Sequence, residues 1–378
     1  MENQNSVCYV AKINEIKPIE GADAIELAIV GGWNAITKKG EYKTGDSVII
    51  ATTDAVIPVE LSDEMNVTNY LRKGQRVRTV KLRGVYSECL IIPYSYLHGR
   101  TTIGDWDLSE GSDCMHIFGI TKFEPPVKQI QLASGRKIRY SENPNFKIYY
   151  KFPNLKNVAG MFNEDNAVQI TRKLHGTNAR YGIVKRKNIS LFTKLKKFFG
   201  NQWAEYEFVV GSHNVEKGSD SQGFYDTNVW YEIADKYKIK SKLWDFVKDV
   251  GTPEGIGEGF CIYGEIYGAG IQKNYDYGLK DIKFAMFDVT LDGEYVPTQW
   301  TEDCARELDL DHVEVLYDGL WSQEIQDSFV FNNFIEGTKV PHEGIVIKHV
   351  SGDRSMVAKV INPDYLIYGE KHDVGDSH

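Results

Sequence analysis

The feature that most restricts how this chain can fold is one stretch, Thr171-Arg172-Lys173-Leu174-His175-Gly176-Thr177-Asn178-Ala179, set between two alternating apolar runs. Ala167, Val168 and Ile170 come before it; Ala179, Tyr181 and Ile183 follow. Such alternation marks half-buried strands, so the stretch reads as strand, tight turn, strand. Gly176 is expected to give the turn its backbone freedom. Lys173 then stands at a strand end, facing whatever cleft the turn borders. There it is either a solvated lysine beside a hairpin or a nucleophile activated by neighbouring cations or by burial. The K-x-x-G spacing alone does not decide between the two.

A chain of 378 residues predicts two or three domains, and 42% hydrophobic with 12% aromatic residues is enough for packed cores. No apolar run approaches a membrane span, and Met1 to Val10 lacks the basic-then-apolar form of a signal peptide. Cys8, Cys89, Cys114, Cys261 and Cys304 are scattered, odd in number and without C-x-x-C spacing. They read as reduced thiols of an intracellular protein, cytoplasmic by default, and not as a zinc site. The net charge of −9 argues against nucleic-acid binding by the whole surface but leaves local basic grooves open.

Residues 1 to 120 carry short strands separated by turns: Val7–Ile13, Ile25–Val30, Trp33–Thr37 and the apolar Ser47–Ala51. Regular spacing with glycine turns predicts a small closed barrel. From Arg76 to Pro93 apolar residues partly alternate with basic ones, turning at Gly84. Residues 121 to 145, with Pro125-Pro126 and Asn143-Pro144, read as a linker. A second domain is expected over 146–368, with a disordered polar tail over 369–378. Within it, Lys185 to Lys197 is a basic stretch that reads as an exposed charged hairpin in preference to an RNA contact. Asp226 to Val250 has the apolar spacing of one broken helix or two, and Glu302–Leu308 and Gln323–Ile335 read as helices. Apolar strands place Glu265 at a strand end and bring Glu343, Lys348 and Lys359 into one region.

The N-terminal pieces Ile19-Glu20-Gly21-Ala22-Asp23, Gly32-Trp33, Lys43-Thr44-Gly45-Asp46 and Lys81-Leu82-Arg83-Gly84 resemble an OB-fold of tRNA-binding and RNA-ligase proteins. Its basic strand, with Arg72, Lys73, Arg76, Arg78, Lys81 and Arg83, together with Tyr86, is expected either to track RNA or to be a solvated barrel face. Downstream, the order K-x-H-G-T-N, G-S-H-N, Y-G-E-x-x-G, F-x-x-F-D, E-G-x-V-x-K and a final apolar strand with one lysine resembles the covalent nucleotidyltransferase superfamily. His175, and Gly268 to Asn274 after Glu265, are similar to the RNA ligase 2-like branch. A barrel ahead of the catalytic domain resembles the Deinococcus and Naegleria type of RNA ligase.

The resemblance implies an α+β chain: an N-terminal OB barrel, then a nucleotidyltransferase domain, ATP-grasp-like, of antiparallel sheets flanked by helices. It implies an ATP-dependent RNA ligase working through lysyl-AMP and RNA-adenylate intermediates. The cofactors are ATP and Mg²⁺ or Mn²⁺. The partners are RNA 3′-OH and 5′-phosphate ends, nicked or splinted, with the protein a monomer away from membranes. Lys173 would be the nucleophile, with Lys359 holding phosphate and favouring the neutral amine. His175, Gly176, Asn178, Glu265, Phe287, Lys348 and Lys359 would bind the nucleotide, Glu265 at the ribose hydroxyls and Phe287 on adenine in preference to Phe284. Glu343 would hold the metal. Arg76, Arg78, Lys81, Arg83 and His213 would meet RNA, His213 only when protonated. The chain departs from the family pattern twice. Lys359 stands where the pattern has two lysines, so that either Lys348 substitutes or the phosphate grip is weaker, and His213 stands where an arginine is usual. The alternatives are a DNA ligase or capping-type transferase, or a non-catalytic RNA-binding OB protein. The plainer reading of Glu265 and Glu343 is a surface salt bridge, and an intact Lys173, Glu265 and Glu343 set argues against the non-catalytic alternative.

Overall fold

Alternation near the N-terminus resolves into five antiparallel strands. The computed structural model describes residues 6–72, 74–98, 100, 108–123, 143–217 and 228–374. Lys73, the linker from 124 to 142 and the last residues of the polar tail lie outside them. The chain forms two units: Met1–Pro126 with Pro153–Met161 and Val360–Tyr368, and Val127–Phe152 with Phe162–Lys359 and Gly369–His378.

In the first unit the strand order is Trp33–Lys38, Ile25–Val30, Cys8–Pro18, Ser47–Thr52, Cys89–Pro93. The central strand, Cys8–Pro18, is covered on both faces. Cys8 and Val10 pack with Ile49, Ala51 and Ile92, whereas Ala11 and Ile13 pack with Val30, Trp33 and Ile50. The sheet curls until its ends meet: Glu88 N donates to Asn34 O at 2.7 Å, and Ile36 N to Ser87 Oγ at 3.1 Å. This is the near-closed barrel expected of an OB fold.

The basic segment is not one long strand. Val80–Leu82 and Val85–Ser87 form a hairpin, turning on Arg83 and Gly84, whose φ angles of 48° and 81° are both left-handed. Such a two-residue turn matches the twist of the strands it joins. Gly32 is required by crowding, since a Cβ there would lie 2.6 Å from the Cα of Lys156. Lys156 pairs with buried Glu88 and sits 5.5 Å from the centre of the Trp33 ring.

The second unit has two sheets. One runs Val315–Leu320, Ala167–Lys173, Gly344–His349, Val357–Ile361; the other runs Tyr206–Gly211, Thr177–Lys185, Gly259–Gly268, Ile282–Leu291, Glu294–Tyr295. The strands on either side of Gly176 therefore do not pair with each other, as a hairpin would; the turn carries the chain from one sheet to the next. Helices Val229–Lys236, Ile239–Val250 and Thr298–Glu307 pack on the five-stranded sheet, setting Trp230, Ile233, Leu243 and Val247 against Tyr181, Ile183 and Phe284. The first two helices are separate because Lys238 adopts a φ of 53° between them.

Two local expectations change. The basic stretch is no hairpin: it contains helix Leu191–Phe198, capped by Ser190 Oγ accepting from Thr193 N, with Lys196 and Lys197 in the last turn. That arrangement complements the helix dipole. The polar tail begins as structure: helix Pro363–His372 runs into it, and the His372 carbonyl accepts from Asn274 Nδ2 at 2.7 Å.

Candidate active site

Lys173 is the last residue of its strand and pairs in register with Gly344, so Glu343 arrives beside its amine. Lys173 Nζ donates to Glu343 Oε1 at 2.6 Å, with the carboxylate buried and the lysine partly so. Glu265 is the third member. It pairs in register with Asn178, two residues beyond Gly176. A Cβ on Gly176 would lie 2.2 Å from the Ile266 carbonyl oxygen and 2.9 Å from Glu265 Cγ. Close approach, and not a left-handed backbone, is why glycine stands there.

Burial pushes the Glu265 carboxyl up to about 8; Lys173 pulls the other way, the Glu343 charge adds to the rise, and the Gly176 N–H opposes it. A carboxyl whose folded value lies above its ordinary 4.5 stabilises the fold fully below that pH and loses this as pH rises through about 8. Wild type should therefore lose thermal stability relative to Glu265→Gln across that window and match it at lower pH. Parallel melting curves at every pH would remove Glu265 from this role.

The turn after Lys173 is braced by the segment following Glu265. His175 is wholly buried, its ring edge-on to Tyr275 at 5.0 Å, and Tyr275 stands edge-on to Tyr277. Gln272 Nε2 donates to the Gly176 carbonyl, and the His175 N–H to the Tyr277 hydroxyl. Asn178 gives its carbonyl to Trp230 Nε1 at 3.0 Å. Its buried Oδ1 has no partner among the described residues.

On the neighbouring strand the register with the Glu265 strand slips between Tyr263 and Gly264. Tyr263 opposes Asp288 and Gly264 opposes Met286, leaving Phe287 as the extra residue. A bulge of this kind re-aims side chains, and Phe287 and Asp288 both reach Tyr149. The Phe287 ring lies 4.9 Å from the Tyr149 ring, and the Tyr149 hydroxyl donates to Asp288 Oδ2 at 2.6 Å. Phe287 stays half-buried, while Phe284 is sealed in the core against Tyr181.

Lys348 does not reach into open space. Its buried amine donates to Asp288 Oδ2 at 2.8 Å and to the Phe287 carbonyl. Arg354 holds the same carboxylate with two donors, at 2.9 and 2.6 Å. Burial alone would raise the Asp288 carboxyl, but Lys348 and Arg354 hold it below its usual value. Burial lowers Lys348, the Arg354 charge adds to this, and Asp288 opposes it. Lys359 lies half-buried on the strand beside Gly344–His349.

His213 stands edge-on to Tyr149 at 6.5 Å. Burial, with Lys151 and Arg180 nearby, holds it below the usual histidine value, so the charged contact expected of it is disfavoured at neutral pH. In the first unit Arg76 is committed to Asp54 and lies 4.1 Å from the Phe123 ring centre. Arg78 Nε donates to the Tyr70 carbonyl at 3.0 Å. Lys81 bonds the Tyr86 hydroxyl at 2.8 Å and lies 4.4 Å from that ring's centre. Arg83 is exposed at the hairpin tip. Sequence reasoning missed Tyr149 and Arg354, which carry no motif; Gln272 stood inside the Gly268 to Asn274 stretch without a role of its own, and the aspartate after Phe287 gave a further signal.

The residues suit a nucleotide and a divalent cation. Glu265 and Glu343 are hard oxygen donors, of a kind that Mg²⁺ or Mn²⁺ takes one or two at a time, completing its shell with phosphate and water. The buried Asn178 Oδ1 beside Glu265 offers an unfilled acceptor to a donor such as a ribose hydroxyl. All five cysteines are buried and free, and among the described residues no helix is long and apolar enough to cross a membrane.

The RNA ligase family model matches residues 166–361, and an OB-fold domain model matches residues 7–94. Among curated proteins none matches the sequence. Solved structures of an RNA ligase from Naegleria gruberi are similar throughout. A lysine-to-alanine variant with ATP and Mn gives a TM-score of 0.70 at 23% identity over 97% of this chain and 99% of that one. The form with PPi gives 0.69 at 23% over 98% and 99%. A glutamate-to-alanine variant with AMP and Mn gives 0.70 at 23% over 98% and 99%.

Proposed function

This chain belongs to the RNA ligase family, and from that premise we propose that it joins an RNA 3′-OH to a 5′-phosphate end with ATP as the AMP donor. The observation that carries the reading is the lysine amine at a strand end, 2.6 Å from a buried carboxylate. The likeness to N. gruberi RNA ligase forms with ATP, AMP and PPi supports the choice of nucleotide.

Lys173 Nζ attacks the α-phosphorus of ATP. The N–P bond forms as the bond to the bridging oxygen breaks, and pyrophosphate leaves. Glu343 Oε1 holds the amine in line and is the nearest acceptor for the proton it sheds. AMP passes to the 5′-phosphate of RNA, freeing the lysine, and the 3′-OH then displaces AMP as the phosphodiester forms. Each step is a displacement at phosphorus, so positioning and charge neutralisation do most of the work. A divalent cation at Glu343 would supply charge for the phosphates.

Glu265 and Asn178 Oδ1 hold the ribose, and Phe287, backed by Tyr149, stacks on adenine. Lys359 receives phosphate. Lys348, tied to Asp288, fixes the strand behind Phe287 and does not replace the second family lysine. His175 shapes the turn from within the fold. Arg78, Lys81 and Arg83 of the barrel meet RNA, ends held in nick or splint, with the protein acting as a monomer. The test is intact-mass analysis after incubation with ATP and Mg²⁺ or Mn²⁺, with GTP as control. One added AMP mapped to Lys173 is expected; an adduct on another residue, or none on folded protein, would reject the assignment.

A further inference from the structure

Away from the Lys173 cleft, the second unit carries a groove that the reaction above does not use. Helices Leu191–Phe198 and Ile239–Val250 border it, and its volume is about 780 Å³. Lys196, Lys238, Lys240 and Lys248 line it with Arg186, against the two carboxylates Asp235 and Asp245. Over the whole chain acids outnumber bases, 53 to 44, so this is a basic groove on an acidic protein. Arg186 is paired with Glu207 at 2.7 Å. Among the described residues none of the four lysines has a carboxylate within ion-pair distance.

Aromatic rings lie between the charges. Trp244 lines the groove half-buried, over Trp203, which is 9% exposed and belongs to the core; their rings are 6.1 Å apart and nearly perpendicular. Lys240, Trp244 and Lys248 fall at i, i+4 and i+8 on one helix, hence on one face, about 6 Å apart along its axis. Lys248 stands 5.5 Å from the Trp244 ring centre, and Lys196 stands 4.6 Å from that of Phe192. The bordering helix leaves Phe192 65%, Phe198 83% and Phe199 76% exposed, far more than monomer packing requires.

The geometry points to this groove as the binding site for a single-stranded segment of the RNA whose ends are sealed. Cations in the groove beside the half-buried Trp244 ring, with exposed Phe192, Phe198 and Phe199 rings on its border, fit a strand with a charged backbone and stackable bases. A lipid surface fits less well. A lipid surface would take the apolar residues the bordering helix leaves exposed, Leu191, Phe192, Leu195, Phe198 and Phe199, but the cations line a concavity between two helices that a planar surface does not enter. The inference rests on the RNA ligase reading and adds where the strand beyond the reacting ends is held.

The test uses the full chain with Lys196→Glu, Lys240→Glu and Lys248→Glu combined, and a fluorescent single-stranded RNA oligonucleotide. Anisotropy from 50 to 200 mM salt gives Kd and its salt slope, and ATP labelling of Lys173 is read in parallel. Expected are a Kd at least about 10-fold weaker, a slope shallower by about 2, and an undiminished AMP adduct. A triple Lys→Gln variant, milder for folding, should lose the same slope. Unchanged Kd and slope in both variants would overturn the proposal. So would tight wild-type binding to phosphatidylserine vesicles, lost in the variants, alongside unchanged RNA binding. If wild type formed no adduct yet the variants still lost RNA, the groove would stand and the ligase reading would fall.

Discussion

Lys173→Ala takes up no AMP from ATP, and RNA sealing from ATP falls by about 10⁴-fold or more, the scale seen when a covalent nucleophile is removed. Lys348, on the adjoining strand, cannot replace the amine, since it is spent on Asp288 and the Phe287 carbonyl. The same variant should still seal RNA that already carries a 5′-adenylate, because that step needs the bound AMP and the 3′-OH but no free lysine. Measuring both substrates side by side separates loss of chemistry from loss of fold. Residual ATP-driven sealing within tenfold of wild type would place the nucleophile elsewhere.

The second large effect lies behind the cleft. Asp288→Ala removes the one carboxylate that buried Lys348 and Arg354 share, together with the acceptor of the Tyr149 hydroxyl. Removing one partner of a buried pair costs about 3–5 kcal/mol, because the other charge remains uncompensated. Here two charges remain, so the cost belongs at the upper end. For a unit of this size that lowers Tm by about 10 °C, read by thermal denaturation near neutral pH. Because the Asp288 carboxyl is held below its usual value, this stability is in place above the ordinary aspartate range and is lost as pH falls through the folded value. Lys348→Met, which leaves Asp288 with Arg354, should cost much less. Equal losses in the two variants would refute the shared-counter-ion account.

Strand periodicity made the barrel, the lysine strand and the strands of Glu265 and Glu343 legible, because alternation survives wherever one face is buried. Relations between strands were less legible. Gly176 looked like a turn residue, yet its constraint is the Ile266 carbonyl 2.2 Å from where a Cβ would sit, a neighbour 90 positions on in the chain. Lys348 looked like a substitute phosphate ligand because spacing says nothing of Arg354 and Asp288 meeting it. The bulge opposite Gly264 is one extra residue, invisible to a period of two. The lysines of helix Leu191–Phe198 suit a charged hairpin as well as a helix, and the cap at Ser190 is a single residue. The helix's apolar residues face water, so no burial pattern announced a helix.

The first unit is assembled from three stretches, the last being Val360–Tyr368. Protein synthesis runs in one direction, and folding of the emerging chain competes with it. The barrel strands leave the ribosome early, yet the side chain that pairs with Lys81, Asp364, is made only after the strands of both ligase sheets. The unit that starts first must therefore wait, incomplete, while the other is built. For the same reason no single crossover between genes could exchange one unit whole and leave the other intact.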